Sequence, residues 1–169
     1  AVATDGHRLA RTSIPLPLGG EIIKGAIIPR KAIFEIRKLI EDYAEDSEIS
    51  ISLSESRIKI FVGETTITSK LIDGNFPDYE KVIPLENSNV LILDCQSLTE
   101  AVDRVSTIFS DKSKSVRMTL SSNKLTLEAN SPDTGSASEE IELDYSSDEI
   151  GIGFNARYLL DVTSQIGSG

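Results

Sequence analysis

The residues that could support catalysis are few in this 169-residue chain. Nucleophilic hydrolysis needs a Ser or Cys beside a base that a third group orients, and the single histidine, His7, follows Gly6 in a predicted turn. No serine lies in a Gly-x-Ser-x-Gly nucleophile elbow, and no Gly-Lys-Ser or Gly-Lys-Thr phosphate loop occurs. The sequence Gly-Ile-Gly at 151–153 lacks the third glycine of a dinucleotide loop. We therefore predict that the chain is not an enzyme.

Metal and disulfide chemistry are equally unsupported. A single cysteine, Cys95, cannot form an internal disulfide, and one histidine cannot build a zinc site by itself. The acidic residues between 139 and 149 lack the Asp-x-Asp-x-Asp-Gly order of a calcium loop. Cys95 begins a predicted helix, where a thiol can be activated, but we interpret it as a small buried apolar residue. We expect no metal and no cofactor.

Two segments have the composition of a binding surface. The first, Thr4–Ala10 (TDGHRLA), combines a turn, a cation and an apolar side chain, and is called here the His7 turn. The second, residues 76–84 (FPDYEKVIP), contains two aromatics and two prolines and is called the Tyr79 segment. Rigid proline turns with apolar side chains preorganise a groove for a peptide. A packed linker is the alternative interpretation of such a segment.

The elements that must position these segments follow one plan of an apolar strand, a polar or proline break, and an amphipathic helix. Strands are predicted at 26–28, 90–93 and 150–154, and the first helix over 30–44. Pro29, Asp94 and Asn155 occupy the breaks, and Asn155 is a predicted N-cap. The helical faces are Ile33, Ile36, Leu39, Ile40 and Tyr43, then Leu98, Ala101, Val102, Val105 and Ile108, then Tyr158, Leu159, Val162 and Ile166.

The plan repeats along the chain. After each of the first two helices, apolar and polar residues alternate as in antiparallel strands with one buried face. Equivalent strands begin near residues 26, 91 and 150, at a nearly constant step. The pattern predicts an α+β protein of repeated strand-helix-three-strand units, with helices on one face of antiparallel sheets. Because the units at both ends are incomplete, we expect a piece of a longer protein; a whole domain with frayed termini is the alternative.

Charge is unevenly distributed in this acidic chain. There are 27 Asp and Glu against 17 Lys and Arg, a net charge of −10, which argues against binding nucleic acid through bulk charge. Residues 30–38 contain four bases and one acid, whereas residues 125–156 contain eight acids and no base. Such segregation lets an acidic protein present a basic lining to a polyanion, although ordinary solvated faces are the alternative.

The sequence contains no segment typical of a membrane protein. No apolar run approaches the roughly 20 residues that cross a bilayer. Residues 1–10 also lack the basic-then-apolar order of a signal peptide. We expect a cytoplasmic protein with no membrane partner.

Both binding segments resemble motifs of a known family. The His7 turn and the sequence DGNFPDY at 73–79 resemble the bacterial sliding clamps, which are the beta subunits of DNA polymerase III. The sequences PRK at 29–31, TSKL at 68–71 and GFN at 153–155 match in the same order, so the resemblance covers essentially the whole chain. It implies the DNA clamp fold, with residues 1–82 as most of the second clamp domain and residues 83–169 as the front part of the third.

The resemblance also implies a function and a set of partners. The family forms head-to-tail homodimeric rings of six similar domains, with helices lining the hole. As a processivity factor, the full-length homodimer would encircle double-stranded DNA without sequence preference, through weak phosphate contacts. Its protein partners would be the DNA polymerase III alpha subunit, the clamp loader, and other clamp-binding polymerases and repair proteins.

The site residues implied by the resemblance form three groups. The family's hydrophobic pocket, which receives short Gln- and Leu/Phe-containing motifs, is matched by Thr4, Gly6, His7, Arg8, Leu9, Pro77, Lys81 and Val82. The positions that match or lie near basic residues facing the hole are Lys24, Arg30, Lys31, Arg37, Lys38, Lys70 and Arg104. Thr107 and Ile108 match the dimer interface, while Asn75 stands where some members have Arg.

Two other classes of function compete with the clamp. A stand-alone peptide-binding module without DNA contact would explain the acidity and the two binding segments, but would leave the bases of residues 30–38 without a role. An enzyme would require turnover that depends on His7, and no sequence motif supports it.

Overall fold

The computed structural model describes residues 1–16, 20, 25–44, 47–110 and 115–166, so the predicted DNA-facing Lys24 lies outside the described residues. The chain divides into two compact units, which are treated separately below. The first unit comprises Ala1–Ala3 and Arg11–Ile83, and the second comprises Thr4–Ala10 and Pro84–Gly169. Near the N-terminus, β1 (Val2–Thr4) and β2 (Leu9–Arg11) pair in a two-stranded sheet.

The first unit packs one helix on a three-stranded antiparallel sheet. Its elements are α1 (Arg30–Glu41), β3 (Ile49–Leu53), β4 (Arg57–Val62) and β5 (Thr65–Lys70), with β4 in the centre. Alternation along β4 directs Ile58, Ile60 and Val62 to one face, where they are at most 4% exposed. Ile36 and Leu39 of α1 pack against that face.

Helix α1 is shorter than the predicted helix, and fewer of its apolar residues are buried than the sequence predicted. The predicted helix over 30–44 ends at Glu41, with Asp42 as its C-cap. The acidic residues that follow oppose the negative end of the helix dipole, which favours an early stop. Ile33 and Ile40 were expected in the core but are 48% and 38% exposed, because they flank the stripe that faces the sheet.

The second unit packs two helices with a four-stranded antiparallel sheet. Its elements are α2 (Cys95–Ser106), β6 (Ser115–Ser121), β7 (Lys124–Ser131), β8 (Gly135–Glu142), β9 (Ile150–Asn155) and α3 (Ala156–Thr163). The strand order is β8-β7-β6-β9. Leu125 and Leu127 of β7 are fully buried with Val102 and Val105 of α2. Every apolar residue predicted for the core face of α2 packs in this cluster.

The α+β class, with helices on one face of antiparallel sheets, is confirmed, and so is the strand predicted at 150–154, which the structure extends to Asn155. The strands predicted at 26–28 and 90–93 are wrong. Ile27 accepts one backbone hydrogen bond, from the N–H of Ile72 at 2.9 Å, but no described strand lies beside either segment to complete a ladder. An apolar pattern predicts burial, whereas a strand also needs a neighbouring strand for its backbone groups.

The two later helices begin after the predicted breaks, and the predicted N-cap Asn155 is confirmed, while Asp94 is also an N-cap. The side chain of Asp94 accepts a hydrogen bond from the backbone N–H of Ser97, and that of Asn155 accepts one from Arg157. The predicted face of α3 is wrong in part, because Val162 and Ile166 are more than half exposed. Cys95 is half-buried, with its thiol 3.6 Å from the carbonyl oxygen of Thr163.

The Asp94 cap gives the second unit a measurable pH dependence. Oδ1 of Asp94 accepts from the Ser97 backbone at 2.7 Å and from its hydroxyl at 2.8 Å, and the backbone bond is the main reason that the pKa of Asp94 lies below its ordinary value of 3.8. A carboxyl whose pKa is lowered by folding stabilises the fold above its unfolded pKa, and loses that effect as the pH falls through its folded pKa.

We therefore expect Asp94→Ala to lower Tm at pH 7, and the difference from wild type to shrink as the pH falls below about 4. Calorimetry of both proteins across this range is the measurement. Asp94→Asn is the control, because it keeps the acceptor without the charge. A Tm difference that is independent of pH would contradict the role of the ionised carboxylate.

Candidate functional site

The His7 turn is held by its own side chains. The hydroxyl of Thr4 donates to the carbonyl oxygen of Arg8 at 2.8 Å and accepts from the N–H of Gly6 at 3.2 Å. Oδ1 of Asp5 accepts from the backbone N–H groups of His7 and Arg8 at 3.1 and 3.0 Å. These two bonds are the main reason that the pKa of Asp5 is lowered. Gly6 completes the turn with a φ of +85°, a backbone conformation that residues with a side chain rarely adopt.

The guanidinium of Arg8 is fixed by three groups. Its Nε donates to Asp5 at 3.0 Å and its Nη1 donates to Asp161 of α3 at 2.5 Å. It also lies over the ring of Tyr158, 4.6 Å from the centroid. The bond to Asp161, followed by the bond to Asp5, raises the pKa of Arg8. Within the second unit, α3 therefore anchors the His7 turn.

His7 and Tyr158 form the aromatic part of this surface. Their ring centroids are 6.1 Å apart with an interplanar angle of 29°. Leu9, at the start of β2, is half-buried. An aromatic pair beside an aliphatic side chain and a braced backbone turn can bind an apolar side chain of a ligand.

Sequence reasoning missed two residues of this arrangement. Tyr158 was assigned to the core face of α3, and Asp161 was assigned no role, yet both contact Arg8. They are separated by three positions, so they share one helical face. A carboxylate in the last turn of a helix opposes the dipole, which is the one sequence signal that could have marked Asp161, although it does not indicate a contact with Arg8.

All of the Tyr79 segment except its last residue, Pro84, belongs to the first unit. It contains a short 3-10 helix over Tyr79–Val82, whose first N–H donates to the carbonyl oxygen of Pro77 at 2.8 Å. Phe76 packs edge-on against Tyr79 with ring centroids 6.2 Å apart, and Arg11 lies 5.9 Å from the Tyr79 centroid. Val82 is 70% exposed, although it is apolar. An exposed valine on a braced turn is a candidate ligand contact.

Lys81 and Asp78 form an ion pair at 2.7 Å beside that valine, with both side chains mostly exposed. The predicted pocket residues therefore fall in two groups. Thr4, Gly6, His7, Arg8 and Leu9 lie in the second unit, and Pro77, Lys81 and Val82 lie in the first. Within each unit, the structure brings the members of the group together.

Four of the predicted DNA-facing bases lie on one helix. On α1, Ala32, Ile36 and Leu39 face the sheet, while the exposed bases occupy the other side: Arg30, Lys31, Arg37 and Lys38. Arg37 donates to Glu41 at 2.8 Å. Arg30 lies over the ring of Phe34 at 5.1 Å. The structure thus gathers these four bases on the face of α1 that points away from the sheet.

Two other predicted bases, Lys70 and Arg104, do not join this face. Lys70 is paired in register with Arg57, next to the buried Ile58, so alternation directs it to the sheet face opposite α1. In the second unit, Arg104 donates from Nε to both carboxylate oxygens of Glu139 at 3.0 and 3.1 Å and from Nη1 to Glu100 at 3.3 Å. Glu139 raises the pKa of Arg104 most strongly. Arg104 therefore does not offer a free cation.

The predicted interface residues end α2. Thr107 is the exposed C-cap, and its hydroxyl donates to the carbonyl oxygen of Arg104 at 2.7 Å. Ile108 is half-buried against the core, and its carbonyl oxygen accepts a hydrogen bond from the hydroxyl of Thr134. Phe109, which had no role from the sequence, packs against the same core.

No described helix is long and apolar enough to cross a membrane. Over the same parts of the chain, no three His, Cys, Asp or Glu side chains are grouped so that they could hold a metal ion.

Gly6 allows a test of the His7 turn. Gly6→Ala places a side chain at positive φ, so we expect it to weaken the turn by about 1 kcal/mol. Amide hydrogen exchange at His7 and Arg8, whose N–H groups bind Asp5, should become faster. Gly25→Ala is a matched control, because an added Cβ there meets no atom within 4 Å and its φ is not positive. Equal exchange in both variants would contradict the turn's dependence on Gly6.

Comparison with known proteins identifies the relatives of this fold. The family model for the central domain of the DNA polymerase III beta subunit matches residues 1–78, and the model for its C-terminal domain matches residues 80–169. The beta sliding clamp of Caulobacter vibrioides is 46% identical over 98% of this chain and 44% of its own length. That of Escherichia coli K12 is 36% identical over 98% of this chain, again 44% of its own length.

Solved structures agree with the family models. A sliding clamp from Bartonella birtlesii bound to griselimycin superimposes with a TM-score of 0.94 at 47% identity, over 99% of this chain and 45% of that one. A Pseudomonas aeruginosa clamp gives 0.90 at 40% identity, over 98% of this chain and 45% of that one. The chain therefore spans less than half the length of the relatives that it matches. It belongs to the DNA polymerase III beta subunit family, the bacterial sliding clamps.

Proposed function

We propose that this chain is the central and C-terminal part of a sliding clamp, a non-catalytic processivity factor that encircles DNA and binds short peptide motifs of replication proteins. The exposed basic face of α1 is the observation that carries the DNA-binding half of the proposal. The family assignment supports the homodimeric ring of the full-length protein, with Thr107 and Ile108 at its interface. It also supports action in the bacterial cytoplasm, where the chromosome is located.

Two bases of α1 lie where the helix dipole destabilises a positive charge. Arg30 and Lys31 occupy the first turn, where the positive end of the helix dipole disfavours cations, and no acidic residue offsets them there. Residues that oppose a local preference are expected where function requires them. A polyanion that approaches the exposed side of α1 would meet these bases first.

Ion pairing separates the bases of α1 into two kinds. Arg37 is neutralised by Glu41. Lys31 and Lys38 form no ion pair with any described residue, and they are seven positions apart, so they share one face of the helix. We assign the phosphate contacts mainly to Lys31 and Lys38, with Arg30 beside them. Arg37, Lys70 and Arg104 remain predictions from the resemblance, and the proposal does not depend on them.

The peptide-binding half of the proposal rests on the His7 turn and the Tyr79 segment. Both expose apolar or aromatic side chains from backbone that is already braced by hydrogen bonds. Preorganised contacts of this kind reduce the entropic cost of binding a flexible peptide. The ligand class is a short peptide with Gln and Leu or Phe side chains. Its sources would be the polymerase alpha subunit, the clamp loader, and other clamp-binding polymerases and repair proteins.

A stand-alone peptide-binding module remains the second candidate. The excess of acid over base in the chain favours it. The two functions differ in their behaviour on DNA, because a ring is retained on closed circular DNA and slides off once the DNA is linearised.

Peptide binding by the full-length protein tests the assigned contacts. We expect Leu9→Ala or Val82→Ala to weaken binding of a polymerase C-terminal peptide by roughly 1 to 3 kcal/mol, since each removes apolar contact area. Titration calorimetry measures the change. Leu85→Ala is the control, because Leu85 is 88% exposed and follows the Tyr79 segment. Unchanged affinity in both test variants would show that the contacts are wrongly assigned.

Retention on circular DNA tests the basic face. We expect Lys31→Glu with Lys38→Glu to weaken retention of the loaded full-length protein and to lower the slope of log K against log salt by about 2. The peptide affinity should be unchanged.

The matched control is Arg57→Glu with Lys59→Glu. Arg57 and Lys59 lie on the face of the first unit's sheet that points away from α1, since they alternate with the buried Ile58 and Ile60 of β4. Both double variants change the net charge of the chain by the same amount. Equal losses of retention would mean that overall charge, and not the face of α1, determines DNA binding.

A further inference from the structure

We propose that the face of the first unit's sheet that points away from α1 is a docking surface for an acidic peptide segment of a partner protein. This surface, called here the β4 outer face, comprises Arg57, Lys59, Phe61 and Lys70. The segment would lie extended along β4, with carboxylates at the cations and an apolar side chain at Phe61. The inference goes beyond the proposed function, because it uses neither the basic face of α1 nor the His7 turn.

The first observation is a group of cations without counter-ions. Arg57, Lys59 and Phe61 alternate with the buried residues of β4, and Lys70 lies directly opposite Arg57 in the register of β4 and β5. All three cations are exposed, and none forms an ion pair with any described residue. Strands β3, β4 and β5 contain no acidic residue. This face is therefore a local excess of positive charge in a chain of net charge −10.

The second observation is that this arrangement costs stability. Like charges directly opposite each other destabilise an antiparallel pair, and Arg57 and Lys70 are in that position. Residues that oppose a local preference are expected where function requires them. A ligand carboxylate between the two cations would relieve their repulsion and accept charge-assisted hydrogen bonds from them.

The third observation is a cavity beside the cations. Nζ of Lys59 lies 4.5 Å from the centroid of the Phe61 ring, and Phe61 lines a cavity of about 410 Å³. An added Cβ at Gly63 would lie 2.5 Å from the ring of Tyr43, so the absence of a side chain there lets that ring pack on the turn after β4. The other lining residues are Ser47, Glu48 and Ser50. Two aromatic rings in one cavity suit an apolar side chain.

The spacing of these groups indicates the kind of occupant. Side chains on one face of β4 recur at every second residue, about 7 Å apart, and an extended peptide has the same repeat. Carboxylates at two alternate positions would face Arg57 and Lys59, and the next alternate residue would reach Phe61. Glu48 precedes β3, whose first residue pairs with Val62, so it lies beyond Phe61 from the cations. It would repel a continuous polyanion such as DNA, which favours a short acidic segment that ends in an apolar residue.

The test uses the full-length protein and a fluorescent synthetic peptide, Ser-Glu-Ser-Glu-Ser-Leu-Ser, with both ends blocked. We expect wild type to bind this probe in an anisotropy titration, and added salt to weaken the binding. Arg57→Gln with Lys59→Gln should raise Kd by about ten-fold, since it removes two charge-assisted contacts. Both side chains are exposed, so the variant keeps the fold. Phe61→Ala should raise Kd by about five-fold through lost apolar contact.

Matched controls separate local contacts from overall charge. Lys31→Gln with Lys38→Gln removes two cations from the α1 side of the same unit, so it should leave Kd unchanged. A probe with Gln in place of both Glu residues should bind wild type and the Arg57→Gln, Lys59→Gln variant equally. A probe with Ala in place of Leu should bind wild type and Phe61→Ala equally, because the contact that each change removes is the same one.

The remaining outcomes overturn the docking surface. It is wrong if wild type does not bind the probe, or if the two double variants lose the same affinity. Displacement of the probe by short duplex DNA would show that the face binds nucleic acid instead. Self-association of wild type that the Arg57→Gln, Lys59→Gln variant abolishes would show that a second copy occupies the face. None of these results decides the proposed function, which retention on circular DNA tests separately.

Discussion

Each unit depends on one constraint, which is that an antiparallel sheet has to bury one apolar face under a helix. In the first unit, Ile58, Ile60 and Val62 meet that requirement against α1, and in the second Leu125 and Leu127 meet it against α2. The covered face of the sheet fixes the rotation of the helix above it, because only one helical stripe is apolar. Once this stripe of α1 faces the sheet, its four exposed bases are directed to the other side. The basic face of α1 is therefore a consequence of core packing in the first unit.

Charge pairing then decides which exposed bases are available to a ligand. Arg37 and Arg104 are equivalent to Lys38 in a count of bases, yet Glu41 and Glu139 neutralise the two arginines. An acidic protein can bind a polyanion only through bases that its own carboxylates leave free. At Arg8, by contrast, Asp5 and Asp161 neutralise the guanidinium. The surface around it is therefore aromatic and aliphatic, and suits a peptide. Two ligand chemistries can thus coexist in a chain with a net charge of −10.

The sequence predicted those features that depend on local periodicity. The α+β class, the core face of α2, the meander strands before β8 and the Asn155 cap all follow from spacing or from one capping residue. The strands expected at 26–28 and 90–93 were wrong because a strand also requires a neighbour, which periodicity does not supply. Val162 was misplaced because α3 has apolar residues around much of its circumference, so the spacing did not define one face.

The candidate site was predictable only where its residues are adjacent in sequence. The TDGHRLA motif indicated a turn, and the structure shows that hydrogen bonds to the side chains of Thr4 and Asp5 hold it. Tyr158 and Asp161 lie about 150 positions away, and no local pattern connects them to Arg8. They can contact Arg8 because β9 pairs with β6, and this pairing positions α3, which follows β9, within the second unit. The hydrogen bonds that hold the turn are therefore determined by seven consecutive residues. The ion pair that Arg8 forms with Asp161 depends on the fold of the second unit.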